Sequence, residues 1–304
     1  MIKKRVKWGL VGLGLQGKRM MRAMEASAHA ELAGAASRHS GGALPQLLKK
    51  KDIDAVCITT PNHEHAVQAI AVARARKHIL CEKPLALSMR EGRAILQAVQ
   101  KSGVHCFVNY HLRLHPEAQK ARVLLAQKKL GDITYIEMQW SVGVLAQKNV
   151  PPLPRHMRWR ESHARSGGGA LTMRGVHLFD LLRFIAGKEV VEVRAWSDAT
   201  RTRVDRTAIG LFVLEDNTPA VITTSKIIRD ADNHITIYGT KGKLVLRDIF
   251  STNPQAMYKK VFGCFAEAIK GKKTPLATLE DGIAAVAIAE AFTRSASDAR
   301  RTSL

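Results

Sequence analysis

The sequence predicts a two-domain α/β protein, on three observations. An apolar stretch, residues 6–11, runs directly into Gly12-x-Gly14-x-x-Gly17 and then into a run of helix formers, 18–28. Short apolar strands and helical segments alternate from there to about residue 116, the pattern of βαβ units and a parallel sheet. From 190 to 248 strands follow one another with only turn residues between them, which implies antiparallel pairing. With 304 residues the chain can bury two such cores, and the boundary is expected at Pro116, giving domains 1–116 and 117–304.

The glycine loop gives the first domain its chemistry. Gly12 allows a tight turn, Gly14 lets the backbone approach a diphosphate, and Gly17 lets the helix pack on the strand. Leu15 and Gln16 lie between them at the helix start, whose free N–H groups and positive dipole end suit phosphate. Strand, loop and helix in this order predict a Rossmann-type, doubly wound parallel sheet that binds a dinucleotide. A second strand, 31–37, ends in Ser37-Arg38, about 20 residues past the loop, where an NAD site carries an acidic residue. With no carboxylate there, a 2′-phosphate can sit against Arg38, so NADP is predicted as the cofactor and NAD is the alternative. The segment from Arg38 to Ile53 is short for a crossover helix plus a strand.

A third strand, 53–60, runs into Thr60-Pro61-Asn62-His63-Glu64-His65 and a helix, 66–76. That loop lies at the carboxyl end of the sheet, where doubly wound folds bind ligands. Its His63-x-His65 pair has no third ligand nearby, so cofactor contact is expected of it and no metal site. Next, residues 78–82 form a strand ending in Glu82-Lys83-Pro84. A lysine so placed can hold and polarise a hydroxyl; a surface lysine is the bland alternative. Ser88 and Glu91 form a capping box for a helix over 89–102. Strand 104–109 then leads to His111 and Arg113.

The second domain opens with a helix, 116–127, and a strand, 133–140. A Pro- and Arg-rich loop, 149–165, holds Arg155, Arg158, Trp159 and Arg160. Gly167-Gly168-Gly169 leads into a helix over 178–186, with His177 and Asp180 three apart on one face of its first turn. Strands are expected at 190–197, 207–214, 220–228, 234–238 and 243–246, and closing helices at 254–270 and 280–299.

These motifs, in this order and spacing, resemble the glucose-fructose oxidoreductase / inositol dehydrogenase / rhizopine-catabolism (Gfo/Idh/MocA) family from Val6 to about Arg300. The resemblance implies a Rossmann domain followed by an α/β domain with an open, mostly antiparallel sheet. It implies an NAD(P)-dependent dehydrogenase that transfers a hydride between the nicotinamide cofactor and a secondary hydroxyl of a sugar, cyclitol or nucleotide sugar. The cofactor would be held by Gly12, Gly14, Leu15, Gln16, Gly17, Ser37, Arg38, Thr60, Pro61, Asn62, His65, Glu82, Lys83 and His111. Lys83, before a Lys83–Pro84 bond expected to be cis, would touch both nicotinamide and substrate. His177 would act as general base and Asp180 would bind a neighbouring hydroxyl, with Arg113, Trp159 and Arg160 on the substrate. His111 stands where the family usually has an amide, and the wording around Arg113 is similar to the UDP-N-acetylhexosamine 3-dehydrogenase branch. Assembly as a homo-oligomer through the second sheet is also implied. One departure matters: Met173 replaces the carboxylate that orients the catalytic histidine. It raises the alternative of a catalytically weakened dinucleotide-binding regulatory or scaffold protein.

Composition sets the remaining bounds. The net charge of +22 points to anionic partners. Lys and Arg are spread along the chain without zinc-finger or RNA-binding aromatic patterns, so an anionic small molecule is expected and nucleic acid is not. There is no run of about 18 apolar residues, and no leader-like segment precedes the first strand. Four cysteines without C-x-x-C spacing read as reduced packing residues. A cytoplasmic protein away from membranes is the expectation.

Overall fold

The computed structural model describes residues 5–37, 44–144, 152–200, 202–250 and 253–298. In chain order the elements are β1 (Val6–Val11), α1 (Leu15–Glu25), β2 (Ala30–Ala36), α2 (Leu44–Lys49), β3 (Ala55–Ile58), α3 (His65–Arg74), β4 (His78–Cys81), α4 (Met89–Ser102) and β5 (Cys106–Val108). They continue with α5 (Pro116–Ala126), β6 (Ile133–Ser141), α6 (His163–Ser166), α7 (Val176–Ala186), β7 (Val190–Ser197), β8 (Thr207–Leu214), β9 (Pro219–Ser225), β10 (His234–Gly239) and β11 (Gly242–Leu246). The last are α8 (Gln255–Ala268), β12 (Ala277–Thr278) and α9 (Leu279–Asp298). Local signals act as expected. Ser88 Oγ accepts from the Glu91 amide, Glu91 accepts from the Leu87 amide, and Gly103 ends α4 in the left-handed region.

The first sheet runs β12-β5-β4-β3-β1-β2, parallel throughout except for β12 on β5. After β1 the chain adds β2 on one side, then crosses to place β3 on the other. The loops after β1 and β3 thus part at the switch point, where such sheets bind ligands. Among the described residues only β2 lies outside β1.

The chain forms two compact units, and neither is continuous. The first joins residues 1–114 to 253–286; the second joins 115–252 to 287–304. The first crossing falls beside the expected boundary, but the expectation of one continuous domain over 117–304 is corrected. Aromatic packing is the reason. Trp8 of β1 is fully buried, with its ring 4.5 Å from Phe265 and 5.1 Å from Phe262, both on α8. Phe265 also meets Phe107 of β5 at 5.4 Å. Removing one such ring costs about 3–5 kcal/mol, which is ample to fix α8 to the first unit.

The second unit is built on the sheet β11-β10-β6-β9-β8-β7, antiparallel except for the β6–β9 pair, and open at both ends. Phe212 of β8 packs under Phe179 of α7 and Phe292 of α9, at 5.3 and 6.3 Å. Val191, Trp196, Ile209 and Leu211, on β7 and β8, are exposed. No helix among the described residues is long and apolar enough to cross a membrane.

Candidate active site

In the first unit the glycine loop is shaped by contacts that only glycine permits. Gly12 has φ +92°, and a Cβ there would lie 2.8 Å from the Thr59 backbone. A Cβ on Gly17 would lie 1.9 Å from the Gly12 carbonyl oxygen. At Gly14 the reverse holds: a Cβ would meet nothing within 4 Å, and no side chain caps the start of α1. The loop is thus closed on its protein side and open in front, with helix N–H groups unclaimed by side chains. That fits a dinucleotide diphosphate. Leu15 is exposed at the helix start. Ser37 follows the end of β2, where the Ala36 carbonyl accepts from the Gly12 amide at 2.9 Å, so it sits against the loop. Arg38 lies outside the described residues.

Thr59 binds the other flank, its hydroxyl donating to the Val11 and Gly12 carbonyls at 2.9 and 2.6 Å. Thr60 donates to Gln68, and Pro61 leads into a tight 3₁₀ turn, Asn62–Glu64. The buried His65 has both ring nitrogens against carbonyl oxygens, Pro84 at 2.7 Å and Thr60 at 2.9 Å. Burial pulls its pKa below the ordinary histidine range against the pull of those carbonyls. Its place is therefore that of a brace between two loops, and it offers no free nitrogen to a cofactor or, with His63, to a metal.

The Lys83–Pro84 bond is cis, as the resemblance implied. Before it, Glu82 is buried at the end of β4, and its Oε1 accepts from Gln16 at 2.7 Å and from Asn109 at 2.6 Å. Its other oxygen accepts from the Lys83 amide. One carboxylate thus ties the glycine-loop helix, β4 and β5 together and fixes the backbone of the half-buried Lys83. Burial, with the Lys83 and Arg19 cations, pushes His111 down to about 3, which favours a neutral ring near neutral pH. The His111 ring lies 4.8 Å from that of Tyr258. Burial beside Glu82 pushes Tyr258 up to about 12, although hydrogen bonds from Gln16 and Arg19 oppose this. Arg113 is buried and paired with Asp281 at 2.9 Å, and the same Asp281 oxygen accepts from the Thr278 amide. This partner holds the Nη1 end of the Arg113 guanidinium inside its own unit.

In the second unit the triple glycine wraps a carboxylate. Gly167 ends α6 in the left-handed region, and Gly168 has φ +151°. The amides of Gly169 and Leu171 then donate to the two oxygens of buried Asp205, at 2.6 and 2.7 Å. A Cβ on Gly169 would lie 1.7 Å from the Asp205 carbonyl oxygen. A π-helical turn, Leu171–Gly175, leads straight into α7 and places His177 in its first turn and Asp180 three residues on, both buried. The His177 ring is 5.6 Å from Trp140, and Arg174 lies over the same indole at 5.8 Å. Met173 receives an Arg174 N–H at its sulfur at 3.4 Å. Arg160 lies over Trp159, 5.4 Å from the ring, in the 3₁₀ segment Arg155–Glu161.

Residues 6–110 match the oxidoreductase family with an NAD-binding Rossmann fold, and 118–245 match the GFO/IDH/MocA C-terminal domain. The chain belongs to the GFO/IDH/MocA family of oxidoreductases. Curated relatives include a 1,5-anhydro-D-fructose reductase of Ensifer adhaerens, 26% identical over 95% of this chain and 96% of its own. An inositol 2-dehydrogenase of Rhizobium meliloti is 26% identical over 98% and 99%. Among solved structures, the WlbA dehydrogenase from Bordetella pertussis, in complex with NADH and UDP-GlcNAcA, superimposes with TM-score 0.82. It is 23% identical, covers 97% of each chain, and speaks for the fold. The member described here is therefore a nicotinamide-dependent oxidoreductase with a Rossmann unit and a mostly antiparallel second unit.

The sequence reading missed Asn109, Tyr258 and Asp281 in the first unit and Asp205, Arg174 and Lys226 in the second. Lys226 shows why: it stands inside the strand expected at 220–228, in the mixed run Thr223-Thr224-Ser225-Lys226-Ile227-Ile228, where nothing marks it out.

Proposed function

We propose that the protein oxidises or reduces a secondary hydroxyl or ketone on a sugar, cyclitol or nucleotide sugar. Lys83 positions the oxygen and His177 moves its proton. The observation that carries this is the Glu82 clamp, which fixes Lys83 beside the phosphate loop through Gln16 and Asn109. When bound, the nicotinamide accepts or returns a hydride at its C4. The loop Gly12–Gly17 holds the diphosphate, Thr60, Pro61 and Asn62 line the same edge, and the neutral His111 ring flanks Lys83 without adding charge. The Lys83 ammonium holds the substrate oxygen and stabilises negative charge on it. His177 takes the hydroxyl proton, and a histidine suits this task because it exchanges protons near neutral pH. Asp180 accepts from a neighbouring hydroxyl. Trp159 and Arg160 supply an aromatic face and a cation for the rest of the substrate. Loss of turnover in Lys83→Ala and His177→Ala across a panel of polyols and nucleotide sugars tests the assignment.

NADP is the proposed cofactor, because Ser37 leaves the loop without a carboxylate to repel a 2′-phosphate. Ser37→Asp is expected to move the NADP/NAD ratio of kcat/KM at least roughly tenfold towards NAD, by placing a negative charge where that phosphate lies. An unchanged ratio removes the NADP assignment. The four free thiols fit a cytoplasmic setting, and the exposed apolar residues of β7 and β8 offer the face for a second copy.

Met173 favours a second reading, in which the fold is kept for cofactor-dependent regulation and turnover is slow. Met173→Asp, restoring a carboxylate four residues before His177, is then expected to raise kcat several-fold. A fall in kcat sinks the idea that this methionine limits the chemistry.

A further inference from the structure

Two lysines are buried in the described structure, Lys77 and Lys226, at 9% and 7% exposure. They are handled in opposite ways. Lys77 donates its ammonium to the Lys50 and Ile53 carbonyls at 2.9 and 2.7 Å, as a structural lysine should. Lys226, just beyond β9, makes no side-chain hydrogen bond or ion pair among the described residues; only its backbone amide is engaged, by Arg206. The carboxylate that acts on it most strongly is Asp205, and both its oxygens are already taken by the Gly169 and Leu171 amides. Burial pulls Lys226 below the ordinary lysine range; Asp205 pulls it back up, and Arg174 and Arg160 push it further down. The end of β9 packs on the turn that carries Arg174: Thr224, two residues before Lys226, would lie 3.5 Å from a Cβ on Gly175. Arg174 is likewise lowered by burial, and its only side-chain partners among the described residues are the Met173 sulfur and the Trp140 ring.

An ammonium held in this way is costly to the fold unless a ligand completes it. Its surroundings say which kind. Arg160 and Glu161 offset each other, and Asp205 offsets one of the two remaining cations, the buried Lys226 and the half-buried Arg174, so a single positive charge is left over. The Trp140 indole then touches both Arg174 and His177, tying the spare charge to the catalytic histidine. We propose that Lys226 and Arg174 form an anion subsite for one carboxylate carried by the substrate, so that the sugar acted upon is a sugar acid. This rests on the dehydrogenase reading above. A phosphate dianion would leave the site with excess negative charge.

The test is calorimetric titration of the cofactor-saturated protein with D-glucose against D-glucuronate and D-galactose against D-galacturonate. Reduced cofactor is followed in parallel. In the wild type, the acid of at least one pair should bind at least tenfold more tightly than the neutral sugar. Lys226→Met should erase that preference, Lys226→Arg should keep most of it, and Arg174→Gln should weaken it. Lys226→Met should also melt no lower than the wild type, since it removes an unpaired buried charge. If it fails to fold, Arg174→Gln carries the same comparison. No acid preference in the wild type, or one that survives Lys226→Met, overturns the subsite. Acid-selective binding without turnover of any sugar overturns the dehydrogenase reading and leaves the subsite standing. Turnover of neutral sugars without acid preference does the reverse.

Discussion

Lys83→Ala is expected to lower kcat by roughly 10²–10⁴-fold, the range found when a positioned proton-transfer or charge-stabilising group is removed. The size follows from how firmly the structure holds this residue. Gln16 at the start of α1 and Asn109 at the end of β5 converge on one oxygen of Glu82, and the other oxygen accepts from the Lys83 amide. A backbone set in place by two rigid elements narrows where the ammonium can lie and so lowers the entropy lost in meeting the substrate oxygen. Lys83→Arg should recover only a small part of the loss, because a planar guanidinium cannot replace a compact ammonium at the same point. Glu82→Gln tests the clamp rather than the lysine. It weakens three charge-assisted hydrogen bonds but leaves the lysine in place, so its loss should fall well short of that in Lys83→Ala. Steady-state assays decide the matter: a Lys83→Ala enzyme with wild-type kcat would remove Lys83 from the chemistry.

What was legible in the sequence follows a physical rule. Features set by neighbouring residues could be read: β1, β7, β8 and α4 have the expected limits, since alternation, caps and a terminal glycine act within a few residues. The glycine loop was legible for the same reason, because each glycine answers a backbone constraint inside one turn. The return of α8 was not, since nothing in Tyr258, Phe262 or Phe265 states that Trp8 waits at the other end of the chain. Ligand-like residues were harder still. His65 and Arg113 have side chains suited to binding, and the sequence cannot show that Pro84, Thr60 and Asp281 already engage them. Asp205 and Lys226 are the converse: unremarked in a run of polar residues or at a strand end, they become consequential only when folding places them by the triple glycine.

Asp205→Ala carries the largest expected effect on stability. Its carboxylate is the acceptor for the Gly169 and Leu171 amides, and charge-assisted bonds of this kind contribute about 1.5–3 kcal/mol each. Both amides lie in a buried turn, so the loss leaves two unsatisfied donors, and a cost of about 3–5 kcal/mol is expected. Domains of this size have only about 5–15 kcal/mol to lose. Urea denaturation measures the total, and faster hydrogen exchange at the Gly169 and Leu171 amides locates it. Asp205→Asn keeps one acceptor oxygen and should cost about half as much. Asp205→Ala also strips Lys226 of the carboxylate that acts on it most strongly, so part of the loss belongs to an unpaired ammonium and not to the turn. Lys226→Met in the Asp205→Ala background should therefore restore some stability while amide exchange in the turn stays fast. If the double variant is no more stable than Asp205→Ala alone, the two charges are uncoupled, and Asp205 acts only as the clasp of the glycine turn that delivers His177.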